Sequence, residues 1–504
     1  MSKNNLSRRE LLALMGASAL TPQTLLAAPK KPTPPAGGTT VALGDLDLTL
    51  MDQGYGDPKR DASISGKPLA IGGRTFAHGV GTHADSRFNL RLDRGARRFR
   101  AFVGVDDDAT GAKSSLRFSV IGDGRELWNS GIRKHGAPAV PVDVDISHVQ
   151  WLTLHVDDGG DGNAEDHADW AEAVFKGVTK RPVAFARLPG EENKFLPGRI
   201  WADTDGKRIQ THGGGILHHE GKWWWYGEDR SNGYIAIGTA GYVSDDLLHW
   251  KRVGTVLPRA SYDQAHGDQT LCERPKVIYN PTTRKFVLWF HYDKSGYGDS
   301  CGGVAVADRP EGPFQFLGAQ RPIESSTFRD MNVFVDDDDK AYVFYAGEGN
   351  GTMHVVRLNA EWTGPEQPMV EGKTWARILI NKSREAPAPF KHDGKYFLIS
   401  SACTGWAPNA ADLAVADNPL GPYTMQGNPC VGPDANTTFG TQSTFVLPMP
   451  GAPPGNFIYM GDHWKPDNLA DSRYIWLPFR MDDTHTTLQW QDQWTLASPR
   501  SGKV

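Results

Sequence analysis

The sequence predicts an all-β protein in which a β-sandwich is followed by a five-bladed β-propeller. Apolar and polar residues alternate in short runs over residues 41–178, with no helix-length period. Glycine and tryptophan are frequent, with 56 and 16 copies among 504 residues, as in proteins of short strands and tight turns. A turn followed by an aromatic strand recurs five times in the C-terminal part, which indicates a repeat architecture.

Length and charge narrow the class of protein. A chain of 504 residues exceeds one ordinary hydrophobic core, so two or more domains are expected. The net charge of −5 offers no basic surface, which argues against nucleic-acid binding. No apolar run is long enough to span a bilayer, so no membrane anchor is predicted.

The N-terminus is predicted to be an export signal, residues 1–28. Arg8 and Arg9 follow Ser7, and an apolar, alanine-rich stretch continues to Ala28, a pattern typical of twin-arginine signals. The alternative is a chance Arg-Arg pair before an apolar helix. A signal of this type predicts a bacterial protein that is periplasmic or secreted. Residues 29–40 are rich in proline and glycine and are predicted to form a tether.

Four cysteines all fall in the C-terminal part, at Cys272, Cys301, Cys403 and Cys430. None has the spacing of a zinc site, so no metal site is predicted from them. An exported protein could pair Cys272 with Cys301 or Cys403 with Cys430. Buried free thiols are the other interpretation, and the sequence leaves both open.

The first folded unit, residues 41–178, carries an ordered set of short motifs. These are Ile-Gly-Gly at 71–73, His-Gly-Val-Gly-Thr-His-Ala at 78–84, Val-Gly-Val-Asp-Asp at 103–107, Gly-Asp-Gly at 122–124 and Asp-His-Ala-Asp-Trp at 166–170. Together they resemble the NPCBM family, which implies a jelly-roll sandwich appended to glycoside hydrolases. Asp106, Asp107 and Asp166 could hold a cation or a sugar. The favoured interpretation is structural, because aspartate and glycine build tight turns.

Residues 179–195 are predicted to be a linker, and residues 196–504 contain the repeat. The five turn-and-strand copies lie at 221–227, 284–290, 339–345, 394–400 and 455–461. Each is preceded by one apolar strand and followed by another, and some copies then add a fourth strand. Five units of four strands predict a five-bladed propeller that acts as one domain.

A polar residue stands before each copy, at the start of the first strand of the unit. These residues are His212, Glu273, Asp330, Glu385 and Gln442, separated by 55 to 61 residues. Because the first strands of propeller blades line the central axis, one repeated position would bring five side chains into one funnel. Chance, or a structural water channel, is the alternative.

Such a funnel suits glycosidic hydrolysis. The reaction needs one protonated carboxyl group to donate to the leaving oxygen, and a second group to activate water. Glu273, Asp330 and Glu385 would lie near one another. Repulsion between carboxylates, together with partial burial, raises the pKa of at least one of them and makes it an acid near neutral pH.

A second ordered set of motifs covers the repeat. It comprises Thr-His-Gly-Gly-Gly at 211–215, Trp-Tyr-Gly-Glu at 225–228, Glu-Arg-Pro-Lys-Val at 273–277, Arg-Asp-Met at 329–331, Arg-Glu-Ala-Pro at 384–387, Thr-Gly-Trp at 404–406 and Gly-Asp-His-Trp at 461–464. The set resembles glycoside hydrolase family 43, in particular its exo-β-1,3-galactanase branch.

The resemblance implies roles for individual residues. Glu385 matches the general acid of the family, and Asp330 matches the carboxylate that tunes the pKa of the acid and positions the sugar. The usual base, an aspartate on the first strand of the first blade, is missing, and the His212 run stands there. The branch shares this gap and offers a glutamine, here Gln442, to hold the water. Glu273 is the other candidate to assist the water or to bind a hydroxyl, and inversion is implied.

The same resemblance and the chemistry of sugars predict a set of substrate contacts. The predicted contacts are His212, Glu228, Arg274, Asn350, Trp406 and Trp464, since galactose stacks on indole and its hydroxyls need charged or amide partners. Core packing is the alternative for each tryptophan. No cofactor is required by this chemistry, and a structural calcium ion on the axis near His212 stays open.

Three functional hypotheses follow. The first is an exported enzyme that removes galactose from the end of β-1,3-galactan, the backbone of arabinogalactan. The second is a related propeller hydrolase that acts on arabinosides or xylosides. The third is a non-catalytic glycan-binding protein, against which the presence of both Glu385 and Asp330 argues.

Overall fold

A computed structural model describes residues 38–110 and 114–496. The predicted signal, residues 1–28, lies outside the described residues, as does most of the tether. Within the described ranges the chain is built from β-strands and seven short 3-10 helices, with no α-helix. No helix of a length and apolarity fit for crossing a membrane occurs in this part of the chain.

The N-terminal part consists of two antiparallel six-stranded sheets. The first sheet contains Val140–Asp145, Arg98–Val105, His167–Val178, Gly79–His83, Lys59–Arg60 and Thr39–Ala42. The second contains Arg125–Lys134, Ser115–Gly122, Trp151–Asp157, Ser86–Arg91, Val183–Phe185 and Asp52–Gln53. A small hairpin, Ala70–Ile71 with Arg74–Thr75, stands beside them.

The apolar residues that alternate with polar ones in the sequence face inward from both sheets and form one hydrophobic core. Trp170 of the first sheet is buried and meets Phe118 of the second edge to face, with ring centroids 5.2 Å apart. Val183–Phe185 pairs with Ser86–Arg91, so part of the predicted linker belongs to the second sheet. A linker start at residue 179 was therefore too early.

Aspartates of the N-terminal motifs hold backbone turns. Asp107 accepts hydrogen bonds from the Gly72 and Gly73 amides at 2.8 and 2.7 Å. Asp106 accepts from the Ala70 amide at 3.1 Å. These bonds join distant turns of the chain, as the structural interpretation of these residues predicts.

The C-terminal part contains five antiparallel four-stranded sheets in chain order. Sheet I contains His212–His219, Lys222–Glu228, Gly238–Ser244 and Lys251–Pro258. Sheet II contains Thr270–Asn280, Lys285–Lys294, Cys301–Ala307 and Gln315–Gln320. Sheet III contains Arg329–Val335, Ala341–Gly347, Thr352–Arg357 and Trp375–Ile378.

Sheet IV contains Arg384–His392, Lys395–Ala402, Asp412–Ala416 and Thr424–Gly427. Sheet V contains Gln442–Pro448, Asn456–His463, Arg473–Asp482 and His485–Thr486. Cys430–Val431 and Leu488–Gln489 form a separate parallel pair. The 3-10 helices are Leu43–Asp45, Leu48–Leu50, Arg259–Ser261, Gly267–Gln269, Glu348–Asn350, Ala435–Thr437 and Leu469–Asp471.

All four cysteines are free thiols. The two disulfide pairs that the sequence left open are therefore not formed, and the free-thiol interpretation agrees with the structure.

A β-bulge interrupts the first strand of every C-terminal sheet at the same point. In sheet IV, Glu385 pairs with Ser401, and regular pairing resumes only at Ala388 with Ile399. Equivalent register shifts follow His212, Glu273 and Arg329, and in sheet V the shift follows Ser443, the residue after Gln442. A bulge bends the strand and redirects its side chains, so each sheet turns polar groups toward a common space.

The bulges correct one predicted position. Arg329 pairs with Ala346, and Asp330 is the extra residue before Met331. Arg329 is therefore the equivalent of Glu273 and Glu385, and the predicted register was wrong by one residue in the third unit. Asp330 has a φ of 37°, in the left-handed region, and this local turn brings its carboxylate to the site.

Candidate active site

A cavity of about 320 Å³ lies where the bulged ends of the first strands meet. It is lined by residues from all five C-terminal sheets and the loops beside them: Glu228, Arg230, Glu273, Arg274, His291, Tyr297, Arg329, Asp330, Asn350, Glu385, Cys403, Gly405, Trp406, Gln442 and Trp464. Charged groups and indole rings therefore share one concave surface, which is the composition expected of a sugar pocket.

Glu385 is nearly buried, with 6% of its surface exposed. Its Oε2 accepts a hydrogen bond from Asn350 Nδ2 at 3.1 Å, and its Oε1 accepts one from Gln442 Nε2 at 3.0 Å. Burial, reinforced by the negative charge of Asp330, raises the pKa of Glu385 to about 8. This carboxyl group is therefore protonated at neutral pH and can donate a proton.

Arg274 joins three walls of the cavity. Its Nε donates to Asp330 Oδ1 at 2.9 Å, its Nη1 to the Ser443 carbonyl at 2.9 Å, and its Nη2 to Gln442 Oε1 at 2.5 Å. A planar guanidinium presents its donors in a fixed fork. Arg274 thus sets the position of Asp330 relative to Gln442.

The amide orientation of Gln442 follows from its neighbours. Its Oε1 accepts hydrogen bonds from Arg274 Nη2 and from Trp464 Nε1, which lies 3.1 Å away. The amide oxygen must face both, so Nε2 faces Glu385 and the Ser401 hydroxyl, at 3.0 and 3.1 Å. Every hydrogen-bonding position of this amide is filled by protein.

A buried ionic cluster supports the other side of the cavity. Arg230 is 1% exposed and pairs with Glu228 at 2.5 Å and with Glu273 at 3.3 Å. Burial raises the pKa of Glu228, an effect that Arg230 partly opposes. The Arg230 guanidinium also lies 5.9 Å from the Trp406 ring centroid, so it helps to position an indole at the rim.

His291 lies between the carboxylates of Glu273 and Asp293. Its Nδ1 lies 3.2 Å from Glu273 Oε2, and its Nε2 lies 3.0 Å from Asp293 Oδ2. Burial opposes the charge on the ring, but these carboxylates outweigh it and raise the pKa of His291 to about 9. Burial would also raise the pKa of Glu273, yet His291 and Arg230 lower it to about 2, so Glu273 is ionised.

One set of side chains in the described ranges has the spacing of a metal site. Glu273, His291 and Asp330 present ligand atoms within 4.8 Å of one another. A metal binds the neutral imidazole, whereas His291 is held in its protonated form by Glu273 and Asp293. The cluster as it stands fits an ion pair network better than a metal ion.

Loss of Arg230 is expected to destabilise the C-terminal part. Arg230→Met leaves Glu228 and Glu273 buried without their shared countercharge, so the free energy of unfolding should fall by about 3–5 kcal/mol. Urea denaturation followed by tryptophan fluorescence measures this. Arg377→Met, at an exposed pair with Glu348, is the control and should change stability far less. Equal effects of the two substitutions would contradict the role of Arg230 as the countercharge of Glu228 and Glu273.

Comparison with known proteins identifies the two parts of the chain. Residues 39–176 match the NPCBM/NEW2 domain, and residues 234–443 match glycosyl hydrolases family 43. A structure of a GH43 β-1,3-galactosidase with galactodeoxynojirimycin is 39% identical, with a TM-score of 0.55, and the match covers 60% of this chain and 100% of that one. The chain belongs to glycoside hydrolase family 43.

Other members of family 43 and a relative outside these solved structures extend the comparison. The exo-β-1,3-galactanase of Phanerochaete chrysosporium, solved with β-1,3-galactotriose, is 34% identical with a TM-score of 0.55, over 60% of this chain and 68% of that one. The α-1,3-galactosidase B of Akkermansia muciniphila is 29% identical over 36% of this chain. This chain spans 24% of the length of that relative.

Family 43 proteins are β-propellers, in agreement with the all-β structure. The structure brings most predicted site residues to the cavity: Glu385, Asp330, Gln442, Glu273, Glu228, Arg274, Asn350, Trp406 and Trp464. His212 is the exception. It is completely buried, stacks on Tyr474 with ring centroids 4.9 Å apart, and does not line the cavity. Its prediction as a sugar contact was wrong.

Several residues of the cavity were not predicted from the sequence. Arg230 lies two residues after a strand end, and Tyr297 lies in a loop, where its hydroxyl donates to Glu273 at 3.0 Å. His291 occupies a second strand, opposite Glu273. The pairing of first and second strands could have indicated His291, because the residue paired with a functional residue lines the same cavity.

Proposed function

We propose that the protein is an inverting, exo-acting glycoside hydrolase that releases galactose from the end of β-1,3-galactan, the backbone of arabinogalactan. The observation that carries this proposal is a cavity in which the buried carboxyl group of Glu385 lies with those of Asp330 and Glu273. The β-1,3-galactosidase and exo-β-1,3-galactanase named above support the substrate class.

Glu385 acts as the general acid. Its proton moves to the glycosidic oxygen as the bond to the anomeric carbon breaks, and its carboxylate is left beside Asp330. Asn350 and Gln442 hold the two oxygens of Glu385, which fixes the direction of the transfer. Asp330 favours the protonated form of Glu385 before the reaction, because two carboxylates so close do not ionise freely.

The water enters from the side opposite Glu385. The oxygen of the Gln442 amide is already occupied by Arg274 and Trp464, so this residue cannot accept a proton from water in the observed orientation. On substrate binding the Nε2 hydrogen that now bonds to the Ser401 hydroxyl donates to the oxygen of the water and orients it, while the other hydrogen stays on Glu385. Glu273 accepts the proton that the water loses as it attacks an oxocarbenium-like carbon.

The small cavity supports action at a chain end. Trp406 and Trp464 meet in its wall, with ring centroids 5.0 Å apart and an angle of 72° between the rings. Such a corner accommodates one terminal sugar against two faces. A polysaccharide that passes through without an end would need an open groove.

A substrate panel tests this function. Purified protein is incubated with β-1,3-galactan, arabinan and xylan, and the released monosaccharides are separated by chromatography. Galactose as the product of β-1,3-galactan alone is the expected result. Release of arabinose or xylose, without galactose, would support the arabinosidase or xylosidase alternative. Binding of a glycan without release of any sugar would support a non-catalytic protein.

The pH dependence of kcat/KM should report the raised pKa of Glu385. Glu385 is active when protonated, so kcat/KM should fall as the pH rises through about 8. Burial is the main cause of the raised pKa and Asp330 adds to it, so Asp330→Asn should move the fall to lower pH. Initial rates on a β-1,3-linked galactobiose between pH 4 and 10 measure both. A fall centred near pH 5 in the wild type would contradict the assignment.

The five C-terminal sheets are proposed to close into a five-bladed propeller. Sheets I and V share one hydrophobic cluster, which includes Trp225, Trp250, Ile458 and Trp476. The Gly213 amide of sheet I also donates to the Asp462 carboxylate of sheet V. Closure places the five bulged first strands around one axis and accounts for the convergence of Glu385, Asp330 and Gln442.

Export and the absence of a required cofactor are part of the same proposal. The twin-arginine pattern at Arg8 and Arg9 supports a periplasmic or secreted enzyme. Replacing both arginines by lysine should leave the protein in the cytoplasm of a bacterial host, which cell fractionation measures.

Hydrolysis by Glu385 and Glu273 requires no cofactor, so dialysis of the protein against a chelator should leave the rate of hydrolysis unchanged. A structural calcium ion would instead be revealed by a loss of activity after dialysis.

A further inference from the structure

One loop of the C-terminal part carries a cavity residue at its start. The strand Asn456–His463 ends immediately before Trp464, and the next strand begins at Arg473. The Trp464 indole nitrogen donates to Gln442 Oε1 at 3.1 Å, and its ring meets Trp406. The position of this loop, residues 464–472, therefore bears directly on Gln442.

The far side of the same loop is held by a buried ionic cluster. Arg473 is 3% exposed and contacts both oxygens of Asp471, at 2.8 and 3.0 Å. Lys465, next to Trp464, also bonds to Asp471. Arg208, which precedes sheet I, bonds to the other Asp471 oxygen. The residues at both ends of the loop thus share one carboxylate.

The N-terminal part completes this cluster. Asp52, on a strand of the second N-terminal sheet, pairs with Arg473 at 3.3 Å and with Arg199 at 2.6 Å. Asp57 accepts hydrogen bonds on both oxygens from the Asn468 side chain, in the middle of the loop. Two aspartates of the N-terminal part therefore hold the outer side of a loop whose inner side carries Trp464.

We propose that Asp52 is a positioning residue of the active site, which fixes Trp464 through Arg473, Asp471 and Lys465 and so orients Gln442. The N-terminal part then acts in the reaction as a structural support, whatever it binds. A paired charge with 17% side-chain exposure is screened by water only weakly, which suits a fixed rather than a fluctuating contact. This inference rests on the proposed function only where activity is the readout.

A double-mutant cycle between Asp52 and Trp464 tests the route. Asp52→Asn keeps the size of the side chain and leaves Arg473 its bonds to Asp471. It should lower kcat about tenfold, because small displacements of positioning groups have large effects on rate. Trp464→Phe removes the indole donor. In the Trp464→Phe background, Asp52→Asn should have little further effect, because the two residues act along one path.

Asp143→Asn is the matched control. Asp143 also lies in the N-terminal part and pairs with two arginines, Arg98 at 2.6 Å and Arg100 at 3.1 Å, but both partners are in its own sheet. This variant should keep the wild-type kcat. Thermal unfolding of all variants verifies that they are folded. An unchanged kcat in Asp52→Asn, or an equal loss in the Trp464→Phe background, would overturn the proposal.

Hydrogen–deuterium exchange provides a readout that needs no substrate. The amides of Asn468, Asp471 and Ser472 donate to backbone carbonyls within the loop. In full-length Asp52→Asn these amides should exchange faster, while exchange in the N-terminal core stays unchanged. Identical exchange in the wild type and Asp52→Asn would refute the proposal that Asp52 fixes the loop. Faster exchange in Asp52→Asn, together with a wild type that is inactive on β-1,3-galactan, would support the role of Asp52 in fixing the loop and reject the proposed substrate.

Discussion

Glu385→Gln is expected to reduce kcat on β-1,3-linked galactobiose by about 10³-fold, within the range for loss of a general acid. The substitution retains the shape of the side chain and removes the proton that leaves with the aglycone. Gln442 can keep its hydrogen bond to the side-chain oxygen, and the Asn350 amide can turn its unpaired Oδ1 to the new amide donor. Initial rates, with released galactose measured enzymatically, give the comparison.

The leaving group distinguishes an acid from a merely structural residue. With an aryl β-galactoside whose phenol leaves without a proton, the loss in Glu385→Gln should be much smaller than with galactobiose. Glu361→Gln, at an exposed position, is the matched control and should behave as the wild type on both substrates. The same large loss on both substrates would contradict the role of Glu385.

Gln442→Ala is expected to reduce kcat by about 10²-fold, because the attacking water loses its orientation. Azide is a small anionic nucleophile, stronger than water, that can enter the space left by the amide and attack the anomeric carbon without being oriented by Gln442, so added azide should restore turnover and yield an α-galactosyl azide. The azide adduct can be identified by mass spectrometry and NMR.

Two controls show whether Gln442 acts on the water or on Glu385. Gln489→Ala, at an exposed position, should keep the wild-type rate and form no azide adduct. If Gln442 served only to hold Glu385, azide would not restore Gln442→Ala, and an aryl galactoside would. That pattern would reject its role toward the water, although the 3.0 Å contact with Glu385 would still stand.

Much of this site follows from the sequence because the strand repeats bring equivalent residues to one cavity. Glu273, Glu385 and Gln442 are found this way, and each lines the cavity. Asp330 is also found, although its register differs by one residue, since the bulge that carries it has no clear mark in the sequence. His212 shows the limit of the method. Its strand position is equivalent, yet it is buried against Tyr474 and does not line the cavity.

Electrostatic partners were harder to predict. Arg230 and His291 are distant from Glu273 in the chain, and only the folded sheets bring their side chains within 3.3 Å of its carboxylate. The contact between Asp52 and Arg473 joins two parts of the chain that show no pattern in common. Pairings of this kind depend on the geometry of packed sheets, which local sequence does not contain.

The most direct test of the account is the anomeric form of the first galactose released by the wild-type protein. Proton NMR can follow β-1,3-galactotriose during the first minutes of the reaction, before mutarotation. The account predicts α-galactose together with galactobiose, because Glu385 donates to the leaving oxygen while water attacks from the opposite face. Release of β-galactose, or cleavage without free galactose, would contradict it.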